Sequence, residues 1–411
     1  MNFLVIDSGL YTELSNALSD GGKNTVWYYT YFGSAFPSHK EYAPGDNFEK
    51  LEKVKYFWDY VDKADCVVNF DVSSNDMIDW LRKKYPEKSI FGAGLGERLE
   101  NDRLGFKRWC KELGLPVIPY EVIKGITNLR KYLEKNPKKV VKINIFRKDF
   151  ETLVCKDYLS VKQVLDNRAP LMGIYADEID FIVEDMVECK VEAGYDGFFN
   201  GQDFGHLSVG YEYDKNLYLG RVGGEIPEVL EETLDAFQPL LQRMNYRGCI
   251  STEERIVSRD EHYFIDPCMR APLPLGVLYS RFIKNWPEVV YNIGKGESFE
   301  IECDEKYVGA YALSTRNAED YYTLIQMKKG HRDDFRLMMA CQDRNKNYYS
   351  VKGLESVVVI VAGGNSPEEV IEKLKDQAEN VSAHGLETDE VKGIDGILDI
   401  IKEGEKVGIE F

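Results

Sequence analysis

The strongest constraint on this chain is the alternation of strand and helix signals through its first hundred residues. FLVI (3–6) is a short apolar strand, followed by a turn at Ser8 and Gly9. A helical stretch runs from about Tyr11 to Leu18, and the strand TVWYYT comes next. CVVNF (66–70) repeats the pattern. After it, Ser73 and Ser74 can cap a helix with apolar positions Met77, Ile78, Leu81 and Tyr85, and SIFGAG closes the unit. Such alternation predicts a parallel, doubly wound, Rossmann-like sheet. Ligands of these sheets bind at the carboxyl ends of the strands. Here that edge holds Asp7, Ser8, Gly9, Asp71 and Ser73, the candidate substrate residues.

The pattern then changes. Phe106, Trp109, Cys110 and Leu113 have helical spacing, and Gly114 and Pro116 end that helix. Residues 117–190 read as a short α/β piece with the strands KKVVKINI and FIVEDMV. A third segment starts with a strand around Gly197–Phe199 and carries a helix with Leu230, Leu234, Phe237, Leu241 and Met244 on one face. It ends in two strands, CISTEERIV and HYFID, joined by the turn SRDE. The last hundred residues form a further α/β piece. In it VVVIVAGG leads into the capping box Ser366-Pro367-Glu368-Glu369, and Ile394, Ile397, Leu398 and Ile401 mark a final helix.

Charge narrows the partners. The 52 Lys+Arg against 70 Asp+Glu leave a formal charge of −18, so a polyanion such as nucleic acid is not held by general electrostatics. A phosphate must be gripped locally. The eight cysteines form no CxxC pair and no zinc spacing, so reduced thiols in a cytoplasmic protein are expected. No apolar run approaches the ~20 residues that span a bilayer. MNFLVIDSG reads as a buried strand rather than a signal peptide.

Three clusters carry chemistry. In STEERIVSRDEHYFIDPCMRAP, strand alternation puts Glu253 and Arg255 on one face, and the hairpin can bring Asp266 opposite Glu253, with Arg270 beyond. Two such carboxylates suit Mg²⁺. Cross-strand salt bridges on a solvated hairpin would give the same letters. Lys142 interrupts an apolar β-branched run and needs a carboxylate or phosphate partner unless it lies on an edge facing water. Glu184, Asp185 and Glu192 flank a strand junction where backbone groups can read an adenine edge and a carboxylate can take ribose hydroxyls; a solvated turn is the plainer alternative. The histidines suggest no triad, and neither a GxGxxG nor a Walker loop is present.

In order and spacing, FLVIDSGLYTELSNAL, the run from DCVVNF to LGLPVIPY, VVKINI, FIVEDMV…EAGYDGFFNG, YFIDPCMR and the tail resemble the ATP-grasp ligases, and within them phosphoribosylamine–glycine ligase. The resemblance implies a pre-ATP-grasp domain at 1–96. It implies an ATP-grasp domain at 97–302, with a small lid subdomain at about 118–190, and a C-terminal α/β domain at 303–411. It implies ATP bound by Arg103, Lys142, the adenine-reading hinge Glu184, Asp185 and Val187, and the ribose carboxylate Glu192. Mg²⁺ would sit on Glu253 and Asp266, and Arg270, with Arg255, would serve the acyl phosphate. The activity implied is amide formation from a small carboxylate and an amine with release of ADP, by a monomer or homodimer acting on neither nucleic acid nor membrane. The chain departs from the family's pattern in three places. The glycine-rich lid is replaced by INIFRKDFETLV, where Arg147 or Lys148 would serve. Cys268 stands in place of an asparagine, and Gly9-Leu10-Tyr11-Thr12-Glu13 replaces the phosphosugar loop. These changes imply a different acceptor, or a nucleotide-binding protein that no longer ligates.

Overall fold

The structure, a computed structural model, describes residues 1–30, 42–72, 74–144 and 152–411. Strands β1 (Asn2–Asp7), β2 (Thr25–Thr30), β3 (Glu52–Lys53), β4 (Cys66–Val68) and β5 (Ser89–Phe91) form a parallel sheet in the order β3-β2-β1-β4-β5. The Phe3–Ile6 run has no alternation because β1 is central and covered on both faces; all four side chains are fully buried. β4 stops at Val68, earlier than the apolar letters suggest. Asn69 turns its amide back to Ile6 O (3.0 Å) and accepts from Asp71 N–H (3.1 Å). That turn presents Asp71 at the carboxyl edge. Ser74 is the N-cap residue of the Asn75–Lys84 helix, while Ser73 lies outside the described residues.

A second, antiparallel sheet has the order β6-β9-β7-β8, from β6 (Tyr120–Lys124), β7 (Lys139–Ile143), β8 (Thr152–Cys155) and β9 (Asp180–Asp185). One face packs on the Ile126–Leu133 and Tyr158–Met172 helices through Val141, Ile143, Phe181 and Val183. By alternation, Val140, Lys142, Ile182 and Glu184 project from the other face.

The largest sheet has eight strands. β10 (Val191–Phe199), β11 (Phe204–Tyr213), β12 (Leu217–Val222), β13 (Gly248–Ser258) and β14 (Glu261–Cys268) come from the middle of the chain. The last hundred residues supply β15 (Tyr307–Ser314), β16 (Thr323–Met327), β17 (Phe335–Leu337), β18 (Ala340–Gln342), β19 (Tyr348–Ser350), β20 (Ser356–Gly364) and β21 (Val381–Ser382). The sheet order is β14-β13-β10-β11-β12-β15-β20-β17, so the C-terminal segment adds three strands to the central sheet, and β18-β19-β16-β21 form a fourth sheet. β20 is the VVVIVAGG run; it lies between β15 and β17, which explains its unbroken apolarity.

The Glu228–Arg243 helix covers one face of the central sheet with Leu230, Leu234, Phe237, Leu240 and Leu241. Met244, expected on that stripe, is the half-buried C-cap. At Ser366 the capping box is only half formed. Its hydroxyl accepts Glu369 N–H (3.2 Å), but the Glu369 carboxylate takes the N–H of Asn365 (2.8 Å), one residue earlier. No helix among the described residues is long and apolar enough to cross a membrane, and all eight cysteines are free.

Candidate functional site

The β6-β9-β7-β8 sheet and the eight-stranded sheet meet through charged side chains. Lys142 Nζ on β7 lies 2.8 Å from Asp266 Oδ2 on β14 and 3.7 Å from Glu184 Oε2 on β9. Lys142 is only 3% exposed. Burial alone would lower its pKa, but Asp266 and Glu184 outweigh burial and raise it. The same balance holds the Asp266 carboxyl below the usual range: burial opposes ionisation, and Lys142 and Arg103 overcome it.

The Arg103–Glu112 helix supplies two more cations. Asp102 caps it by accepting Gly105 N–H (2.9 Å). Arg103 donates to Ile143 O (3.2 Å) and stands 3.7 Å from Asp266 Oδ1. One turn later, Lys107 pairs with Glu184 Oε1. Arg103, Lys107 and Lys142 thus surround the acids Glu184 and Asp266. Lys107 was missed by sequence reading; the available signal was its i+4 spacing from Arg103.

The hairpin β13–β14 has the expected register, with Glu253 opposite Asp266. Burial, then Asp266, pushes the Glu253 carboxyl up to about 8. Glu254, beside it, faces the other way. It is fully buried toward the Glu228–Arg243 helix, where its Oε2 lies 3.3 Å from His262 Nδ1. Glu253 and not Glu254 therefore shares a face with Asp266. Arg255 is paired with Glu192 of β10 at 2.7 Å, and both are partly exposed. Among the described residues no three His, Cys, Asp or Glu side chains are grouped to hold a metal ion; Glu253 and Asp266 form a pair.

Asp196, also missed, lies on the same face of the central sheet. It accepts from Ser251 Oγ (2.6 Å) and from Tyr218 Oη, and burial pushes it up to about 7. Nothing in the sequence separates this aspartate from an ordinary strand residue. Gly194, two positions earlier, passes so close to β13 that a Cβ there would come 2.0 Å from Thr252 O.

The remaining expected residues are dispersed. Asp185 is exposed and paired with Lys139. Val187 is half-buried just past β9, close in sequence to Glu184. Cys268 is half-buried opposite Ser251 in the hairpin register. Asp7 is 1% exposed, its oxygens taken by Tyr28 Oη (2.6 Å) and Tyr11 N–H (3.4 Å), so it braces its loop rather than facing open space. Ser8 is half-buried. Gly9 has φ +110°, and a Cβ there would meet Pro44 Cγ at 2.7 Å, so both conformation and space require glycine. Asp71 Oδ1 accepts Val72 N–H (2.7 Å). Glu13 pairs with Arg332 from the C-terminal segment. Ser73, Arg147 and Lys148 lie outside the described residues.

No family model matches the sequence, and no curated protein matches it. Solved structures do. Phosphoribosylamine–glycine ligase from Thermotoga maritima superposes with a TM-score of 0.68 at 16% identity, covering 94% of this chain and 98% of that one. The biotin carboxylase domain of 2-oxoglutarate carboxylase from Hydrogenobacter thermophilus, solved with MgADP and bicarbonate, gives a TM-score of 0.67 at 12% identity, with 99% of each chain covered. N5-carboxyaminoimidazole ribonucleotide synthetase from Thermotoga maritima gives 0.61 at 13% identity, covering 93% and 99%. All three are ATP-grasp enzymes. Over nearly its whole length, this chain has the ATP-grasp fold.

Proposed function

We propose that this chain is an ATP-dependent ligase that activates a small carboxylate as its acyl phosphate and passes the acyl group to an amine. The observation that carries the reading is the Lys142–Asp266 contact. A buried lysine of one α/β layer meets an acid of another, with a second acid, Glu253, beside it and Arg270 four residues on. A purely structural pair gains little from this arrangement, since burying ions costs several kcal/mol each. A site for Mg·ATP phosphates needs buried cations and acids together.

Lys142 and Arg103 would hold the nucleotide's phosphates, Lys107 would keep Glu184 oriented, and Glu192 would take the ribose. The residues present fit Mg²⁺. Glu253 and Asp266 face each other; burial, then Asp266, pushes the Glu253 carboxyl up to about 8, and a divalent cation would favour its ionised form. When bound, Mg²⁺ supplies charge neutralisation on phosphate oxygens. Arg270 would offset charge on the transferring phosphoryl group. Closure of the lid over this centre would exclude water from the acyl phosphate. The loop Asp7–Gly9 and the turn at Asp71 and Val72 would border the acceptor site. With Asp7 bracing its loop, acceptor contacts fall to Asp71 and the loop backbone, and the acceptor differs from a phosphosugar amine.

A second reading, nucleotide binding without ligation, is favoured by Cys268 at a position suited to an oxygen ligand, since a thiol is a poor Mg²⁺ partner. Calorimetric titration with Mg²⁺ and a non-hydrolysable ATP analogue tests the shared core. Binding that weakens in Lys142→Ala and Asp266→Asn supports it, and no binding by the wild type at millimolar nucleotide removes it. Amine-dependent ADP release across a panel of carboxylates separates the two readings.

A further inference from the structure

Arg270 is held from outside its own hairpin. Glu100, 3% exposed on the Glu97–Asn101 helix, accepts from two consecutive residues: Met269 N–H to Oε2 at 2.8 Å, and Arg270 Nε–H to Oε1 at 3.0 Å. Arg270 Nη1 lies 3.4 Å from the hydroxyl of Tyr11, which donates to Ala271 O at 3.0 Å. Tyr11 is 1% exposed, and its backbone N–H donates to Asp7 Oδ1. Ala271 N–H in turn donates to Phe70 O at 3.0 Å, two residues beyond β4. Among the described residues nothing bonds Nη2, and the side chain is 26% exposed.

We propose that Glu100 and Tyr11 are positioning residues for Arg270. Glu100 fixes the Nε side of the guanidinium, so the Nη edge is presented to an anion in the cleft. Tyr11 ties that orientation to the seat of the Asp7–Gly9 loop. The inference rests on the ligase reading, in which Arg270 faces the phosphoryl group. An unrestrained arginine carries rotamer entropy that an anion would have to overcome on binding. A carboxylate that accepts from Nε and from the preceding amide removes much of that cost in advance. Tyr11 is neutral, so it orients Arg270 without offsetting its charge. It also joins two sites: a shift of the acceptor loop moves the hydroxyl that touches Arg270.

The test is calorimetry on the full chain. Mg·ADP is titrated first, then inorganic phosphate into protein saturated with Mg·ADP. Arg270→Ala, Glu100→Ala, Glu100→Gln and Tyr11→Phe are compared with wild type. Mg·ADP affinity should hold in all four, because Lys142 and Arg103 grip the nucleotide. Phosphate affinity should vanish in Arg270→Ala and fall about tenfold in Glu100→Ala. It should recover in part in Glu100→Gln, which still accepts one bond, and fall about threefold in Tyr11→Phe. A mere strap on the end of β14 would move both affinities together with thermal stability. Unchanged phosphate affinity in Glu100→Gln and Tyr11→Phe, with loss in Arg270→Ala, overturns the proposal even if Glu100→Ala fails to fold. If the wild type binds no Mg·ADP, or Arg270→Ala leaves phosphate binding intact, the ligase reading itself fails and takes the proposal with it.

Discussion

Lys142 and Asp266, 124 positions apart in the chain, meet at 2.8 Å between the β6-β9-β7-β8 sheet and the eight-stranded sheet. The contact joins two layers whose apolar cores are separate. Both acids that face Lys142 keep a second cation: Arg103 stands near Asp266, and Lys107 pairs with Glu184.

Those second cations set the expected cost of breaking the pair. Lys142→Met should destabilise by less than the about 3–5 kcal/mol of a stranded buried charge. Mg·nucleotide affinity should fall about tenfold or more. The double variant Lys142→Met/Asp266→Asn should regain stability without regaining affinity. Thermal unfolding and calorimetric titration of the three proteins check this, and affinity restored in the double variant would contradict it.

The two neighbouring glutamates should behave oppositely. Glu253→Gln removes a carboxyl that burial and Asp266 push up to about 8, so above that pH the free protein should melt at a higher temperature than wild type, while Mg·nucleotide binding weakens. Glu254→Gln disturbs a buried bond with His262, so stability should fall by about 1–3 kcal/mol and nucleotide affinity should hold. If Glu254→Gln were the variant that lost binding, the cleft assignment would be reversed.

Asp196 predicts a pH signature. Its carboxyl is pushed by burial from the ordinary 3.8 to about 7 in the folded state. Between those values the unfolded chain gives up its proton first, so rising pH costs folded-state stability, and the cost is complete above the folded value. Asp196→Asn lacks this penalty. Its melting temperature relative to wild type should climb as pH rises from about 4 to about 7 and then level. A difference that is flat across that window would show that Asp196 ionises freely.

Glu192 is paired with Arg255 at a partly exposed position, so Glu192→Gln should change stability by less than about 1 kcal/mol. If Glu192 takes ribose hydroxyls, the variant should lose about tenfold in affinity for ATP and less for 2′-deoxy-ATP. Parallel titrations with the two nucleotides decide it; equal losses would remove Glu192 from the ribose site.

Much of this architecture was legible along the chain. The buried β1 run, the parallel N-terminal unit and the Glu253–Asp266 hairpin register follow from local pattern, because strand period and turn length act over a few residues. The lysine inside KKVVKINI announced a partner without naming it. Glu100, Tyr11 and Asp196 were invisible because their roles depend on groups between 22 and 260 positions away or on burial, and no local pattern encodes either.

Sequence alone determined the elements, their order and the acids and cations on which the proposed Mg·ATP site draws. Tertiary structure decided which of them meet. Strand alternation leaves two faces equivalent until packing buries one, and it was the Glu228–Arg243 helix that took Glu254 and left Glu253 to the cleft. A charge has a partner only when folding brings one within a few ångströms and removes the water between them.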